Sequence, residues 1–207
     1  MRLHSTSDAP NPRRVMMFMA EKGITDIEVV QVDIMKGAHR SEQYRSLNPL
    51  ARVPALELDD GRVLCETRAI STYLEGLHPQ PNLMGEGFEE RAFIEMADRR
   101  MEWHLLLGIT HWVWHTHPAL AVLIQPQIPE YGEAQRQKVL ETARWVDGEL
   151  AGKEFIAGGR FTVADITAFC ALEFARGLVK FKPVDEGLHN LQAWRDRIAG
   201  RPSAKAK

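Results

Sequence analysis

The feature that most constrains this chain is a change of rhythm at His78-Pro79-Gln80-Pro81-Asn82-Leu83-Met84-Gly85. Before this Pro and Gly cluster, apolar residues alternate between the period of two that marks strands and the longer period that marks helices. After it only the helical period recurs. A chain of this kind folds as a mixed α/β unit followed by an all-α unit, each with its own core. The expected boundaries are an α/β domain over residues 1–80, a linker over 81–87 and an all-helical bundle domain over 88–207.

Within the first part, Met1 to Thr6 reads as a strand. Asn11 is the candidate N-cap of a helix with Pro12 in its first turn, and Val15, Phe18 and Met19 form its apolar face. Gly23 ends that helix, and Val30, Val32 and Ile34 alternate with Gln31 and Asp33 as a second strand. Residues 36–46 are polar and irregular. Residues 53–65 then read as a β-hairpin turning at Asp59-Asp60-Gly61, followed at once by a helix carrying Ala69, Ile70, Tyr73 and Leu74.

The second part opens with a long helix over 88–117, stopped by Pro118. Another covers 133–151, with Val139, Ala143, Val146 and Leu150 on one face. Residues 163–179 are apolar nearly all round, the pattern of a central buried helix. Thr162 and Asp165 make a capping box at its start. Leu191, Trp194 and Ile198 form a last amphipathic face, and the segment after Ser203 is expected to be loose.

Charge and composition narrow the partners. Twenty-six Lys and Arg stand against 28 Asp and Glu, a net charge of −2 that gives no general attraction to nucleic acid or anionic membrane. No stretch approaches the roughly 18 apolar residues that span a bilayer, and the N-terminus lacks the apolar core of a secretory signal, so a cytoplasmic location is expected. Cys65 and Cys170 lie in apolar stretches without a second Cys or a His pair, so two reduced, buried thiols and no metal are expected.

Two local features carry chemistry. Val53-Pro54 puts a proline at the entry of a strand, where it removes a ladder hydrogen bond. If that bond is cis, the Val53 backbone turns outward as an unused edge for an extended peptide; an ordinary edge-strand proline is the competing reading. Glu66-Thr67 starts a helix whose free amides favour a carboxylate, while Glu66 can accept from an ammonium. Together they fit the two ends of an amino-acid headgroup, with simple helix capping as the alternative.

At this point the chain resembles the soluble glutathione transferases. The matching pieces are Leu3 to Ser7 followed by Pro-Arg-Arg-Val (12–15), Ala-Glu-Lys-Gly-Ile (20–24), Asn-Pro-Leu-Ala-Arg-Val-Pro-Ala-Leu (48–56), Glu66-Thr67, Phe-Thr-Val-Ala-Asp-Ile (161–166) and the stretch from Trp194 to Pro202. The resemblance implies a thioredoxin-like first domain, a homodimer and a cis Pro54. It also implies glutathione as co-substrate, with its cysteinyl backbone on Val53, its γ-glutamyl end on Glu66 and Thr67, and its glycyl carboxylate on His39 or Lys36. A solvated basic loop is the other reading of His39 and Lys36.

The family's usual sulfur-side Tyr, Ser or Cys is missing: Ala9 occupies the hydroxyl position, with Asn11 two residues on and Ser5, Thr6 and Ser7 displaced. A helix starting near Asn11 can still lower a thiol pKa, and Asn11 can donate a side-chain N–H. The chain is similar to a fungal and bacterial subgroup in which a water held by Ser and His of the helical domain serves as base. The matching positions are Thr110 and His104, with His111, His115 and His117 as rivals. Trp103, Trp112 and Trp114 are candidates for an acceptor wall or for core.

The resemblance thus implies a detoxifying conjugation of the glutathione thiolate to small apolar electrophiles. Glutathione-dependent disulfide or peroxide reduction and a non-catalytic glutathione-binding scaffold are the alternatives.

Overall fold

The structure is a computed structural model and describes residues 1–7 and 9–206. The chain forms two compact units. The first comprises Met1–Asn82 with the segment that begins at Pro202; the second is Leu83–Arg201. Lys207, the last residue of the expected helical domain, lies outside the described residues.

In the first unit, four strands form one sheet. β1 (Arg2–Ser5) pairs in parallel with β2 (Glu28–Gln31) and antiparallel with β3 (Ala55–Glu57), which pairs with β4 (Val63–Cys65). The crossover from β1 through a helix to β2 and the β3-β4 hairpin are those read from the sequence. β2 is offset from its expected position: it begins at Glu28, and Val32 follows it with an amide bond to the Ser5 carbonyl at 2.7 Å, leaving Ile34 outside the ladder. The polar stretch thought irregular contains a short helix, α2 (Glu42–Leu47), capped by the Ser41 hydroxyl, which accepts from the Tyr44 amide.

Helices α1 (Pro10–Glu21) and α3 (Thr67–Leu77) pack on each other. The N-cap of α1 is Ala9, not Asn11: Pro10 supplies the preset φ of a first helical residue, and Asn11 lies inside the first turn. At its other end, Lys22 buries its ammonium, which donates to the carbonyls of His78 and Pro81 at 2.7 Å and pairs with Glu75 at 2.5 Å. The C-terminal segment is not loose. It forms a turn of 3-10 helix (Pro202–Lys205) whose Ala204 carbonyl accepts from Arg13 at 2.9 Å and whose Ser203 hydroxyl donates to Glu21. It belongs with the first unit rather than with the helical domain expected to include it.

The second unit is helical. α4 (Gly87–Arg100) runs through one π-helical segment (Met101–Leu106) into α5 (Leu107–Thr116). α6 (Pro129–Glu149) begins at a proline, four residues before its expected start, and is followed by α7 (Val163–Val179) and α8 (His189–Ala199). All residues of α7 from Val163 to Leu172 are buried, as its all-round apolar pattern requires. Asp165 organises the unit's lower end: its carboxylate accepts from the amides of Thr162 and Ile156 and from the Trp194 indole, each at 2.9 Å. Across α4 and α7, the Thr167 hydroxyl donates to buried Asp98 at 2.5 Å.

Of the two thiols, Cys170 is buried, but Cys65 at the end of β4 is only half-buried. Burial, with the Glu66 charge beside it, still pushes the Cys65 thiol up.

Candidate functional site

The hairpin register builds the site. Because Ala55 pairs with Cys65 in an antiparallel ladder, Val53-Pro54 just before β3 lies across from Glu66-Thr67 just after β4. The Val53-Pro54 bond is cis. Among the described residues, neither the amide nor the carbonyl of Val53 has a hydrogen-bond partner. The chain entering this edge is fixed from behind: the Arg52 carbonyl accepts from the Tyr44 hydroxyl at 2.7 Å and from the Asn48 amide at 2.8 Å, both side chains being buried.

Across from that edge, Glu66 is the N-cap of α3 at φ 67°, ψ 120°, a conformation costly for a residue with a Cβ, and its side chain makes no cap bond. The first ladder bond of α3 runs from the Ile70 amide to the Glu66 carbonyl, so the Thr67 amide, ahead of it, points out of the helix. Thr67 is buried, and its hydroxyl reaches the Asn11 carbonyl at 3.5 Å. The structure therefore brings Asn11, Thr67, Glu66 and the Val53-Pro54 edge together.

The sulfur-side arrangement follows from two prolines. Pro10 and Pro12 have no N–H, and the Arg13 amide bonds to the Ala9 carbonyl at 3.4 Å, so Asn11 carries the single outward amide of the first turn of α1. Its side-chain oxygen is taken by Arg14 at 3.0 Å, which leaves the NH₂ as a donor.

His39 is buried, and its Nδ1 has no partner. Burial and the charges of Arg40, Arg52 and Arg45 hold its pKa below the usual imidazole range. An unpaired ring nitrogen among three guanidinium groups suits an anion. Arg52 was not singled out from the sequence; its place next to Val53-Pro54 was the available signal. Lys36 differs from His39, being largely exposed and paired with Asp33 at 3.1 Å, the two groups closing a surface turn.

His104 and Thr110 belong to the helical unit. His104 is exposed on the π-helical segment, and Thr110 donates its hydroxyl proton to the Leu106 carbonyl at 2.8 Å. No hydrogen bond joins the two. The rival histidines are engaged differently: Nδ1 of His115 accepts from the Ile128 amide at 3.0 Å, His111 meets the Tyr131 hydroxyl at 2.9 Å, and Nδ1 of His117 is buried without a partner. Trp112 is core, edge-on to Phe181, whereas Trp103 is exposed. Among the described residues no cluster of His, Cys, Asp or Glu could hold a metal ion.

A thioredoxin-like sheet with an open edge at a cis-proline, followed by a helical unit, defines a chain of the glutathione S-transferase family, to which this protein belongs. Its residues 9–77 match the N-terminal domain of that family and residues 100–202 the C-terminal domain. It is similar to glutathione S-transferase 2 of Saccharomyces cerevisiae, at 34% identity over 99% of this chain and 88% of the yeast protein. The crystal structure of Gtt2 from the same yeast superposes with a TM-score of 0.91, covering 99% of both chains. A glutathione S-transferase domain-containing protein of Marinobacter aquaeolei is similar at 41% identity and a TM-score of 0.92, covering 98% of this chain and 99% of the other.

Proposed function

We propose that this chain is a glutathione transferase in which the first unit holds glutathione and the helical unit receives a small apolar electrophile. The observation that carries the reading is the unpartnered Val53 backbone lying across from the exposed start of α3. In this reading Val53 pairs with the cysteinyl backbone beside Pro54. Glu66 accepts from the γ-glutamyl ammonium, while Thr67 and the α3 amides receive the adjoining carboxylate. His39, with Arg52 beside it, takes the glycyl carboxylate. Lys36 is the weaker donor because Asp33 already holds it.

The thiol must lose a proton before it attacks. The outward amide and side-chain NH₂ of Asn11, at the positive end of α1, stabilise the thiolate. The water that removes the proton we assign to His104 and Thr110, whose hydroxyl lone pairs stay available because its proton goes to Leu106. No helix is long and apolar enough to cross a membrane among the described residues, and we place the working form, a homodimer, in the cytoplasm.

Calorimetric titration with reduced glutathione, followed by a conjugation assay on the same samples, tests this. Saturable binding is expected, weakened about tenfold or more in Glu66→Ala and in Thr67→Ala, the effect of losing one charge-assisted hydrogen bond. Absence of binding at millimolar glutathione overturns the reading. His104→Ala and Thr110→Ala are expected to lower kcat while leaving glutathione affinity unchanged.

A further inference from the structure

The helical unit holds a crevice of about 230 Å³ between α7, α8 and the connection that joins them. None of its lining residues has a part in the reading above. Its floor is apolar and fixed. Leu172 and Phe181 are buried, Phe181 stands edge-on to the Trp112 ring at 6.2 Å, and Pro183, also buried, opens a turn of 3-10 helix (Pro183–Glu186). Val184, half-exposed, leads from this floor to solvent.

The charged groups around the crevice divide into those already matched and those left over. Arg195, nearly buried and lying over the Phe169 ring, donates to Glu173 from Nε at 2.8 Å and Nη2 at 2.5 Å, and to Asp196 from Nη1 at 2.9 Å. Gln192 donates to both oxygens of Asp196 at 3.0 Å. These four side chains close a network among themselves. Two cations remain outside it. Arg176 is half-exposed, and its Nη1 stands 3.6 Å from Glu173 Oε2, beyond hydrogen-bond distance. The Lys182 ammonium is exposed and has no partner among the described residues. A guanidinium and an ammonium with donors to spare thus border an apolar floor.

We propose that this crevice is a binding site for small aromatic carboxylates, with the ring on the floor and the carboxylate on Arg176 and Lys182. Size sets the class: a cavity of about 150 Å³ holds a benzene molecule, so this one takes a single ring with its carboxylate and little more. The ring loses apolar surface to water against Leu172, Phe181 and Pro183. The carboxylate meets two cations at a mouth open to solvent, where charge-assisted bonds form at small desolvation cost. An inorganic anion gains nothing from the floor, and a neutral ring gains nothing from the cations. The lining, all of it among the described residues, has neither thiol nor hydroxyl, so the acid is held and not converted. The proposal does not depend on the transferase reading.

The test is a fluorine NMR titration of the full chain with 4-fluorobenzoate, read from its line width, with S-methylglutathione present throughout to fill the glutathione site. Saturable binding with a dissociation constant of about 1 mM or below is expected of a ligand with about ten non-hydrogen atoms. Arg176→Gln combined with Lys182→Gln changes two solvent-facing side chains and is expected to weaken binding about tenfold or more, the scale of losing a charge-assisted hydrogen bond. Val184→Trp narrows the way to the floor and leaves both cations in place; it is expected to weaken binding about as much. The neutral 4-fluorobenzamide is expected to bind the wild type about tenfold more weakly. No saturation by about 10 mM overturns the proposal, as does affinity within about twofold of wild type in the cation variant or in Val184→Trp, or an amide that binds as well as the acid.

Discussion

At the scale of single residues, Asp165 and His39 show how burial sets behaviour that no motif states. Asp165 is fully buried, and burial raises its pKa to about 6 against the hydrogen bonds that favour the carboxylate. The native state therefore keeps a proton between about pH 4 and about pH 6 that the unfolded chain has lost. The stability this group contributes is full below about pH 4 and lost as pH rises through about 6. Denaturant titrations across that window are expected to show wild type losing stability relative to Asp165→Asn, by on the order of 3 kcal/mol at most. Asp165→Ala, which strands two amides and the Trp194 indole, is expected to cost about 3–5 kcal/mol. His39 gives a binding prediction. It is neutral in the free protein near pH 7, and a carboxylate brought against it raises its pKa, so binding takes up a proton. With S-methylglutathione, which has no thiol to ionise, the calorimetric enthalpy is expected to vary with the buffer's ionisation enthalpy, and to stop doing so in His39→Asn. The capping role of Asp165 was legible because a Thr-x-x-Asp box is local; its bonds to Ile156 and Trp194 were not, since they join residues 9 and 29 positions away.

At the scale of elements, periodicity served where one face is buried and failed where turns or prolines decide. The buried face of α1 was legible in Val15, Phe18 and Met19, but its start was misplaced by two residues: Asn11 is a better cap by composition than Ala9, yet Pro10, with its preset φ, takes the first helical position and puts the cap before it. α2 is six residues long with only Tyr44 buried, too short to show a period. The π-helical segment under His104 leaves no mark in an apolar pattern that continues through it. The α5–α6 contact was equally hidden, because it depends on what Gly108 and Gly132 lack. A Cβ at Gly132 would meet Thr116 Cγ2 at 2.6 Å, and Thr116 cannot swing aside without breaking its hydroxyl bond to the Trp112 carbonyl at 2.7 Å. Gly132→Ala is therefore expected to destabilise the protein by about 1–3 kcal/mol despite its better helix propensity, as read by thermal unfolding.

At the scale of the whole molecule, the chain leaves its first unit at Asn82, builds the helical unit, and returns after Arg201 to the unit in which it began. The division into an α/β part and a helical part was readable from the change of rhythm at His78–Gly85. The return was not, because Ser203 and Ala204 are small and their burial makes no periodic signal. The returning segment fastens α1 by the Arg13 bond to the Ala204 carbonyl, near the start of that helix, and by the Ser203 bond to Glu21, its last residue. α1 also carries Asn11, so its anchoring bears on the sulfur side of the site. Removing everything after Arg201 is expected to cost about 2–4 kcal/mol, the scale of one hydrogen bond to a charged donor, one to a charged acceptor and the burial of two small side chains. The loss should be local. Hydrogen exchange is expected to quicken at the α1 amides from Val15 to Lys22 while those of α7, in the other unit, keep their protection. Glutathione affinity should fall with α1 protection, whereas an unchanged α1 would show that the returning segment rests on the first unit without supporting it.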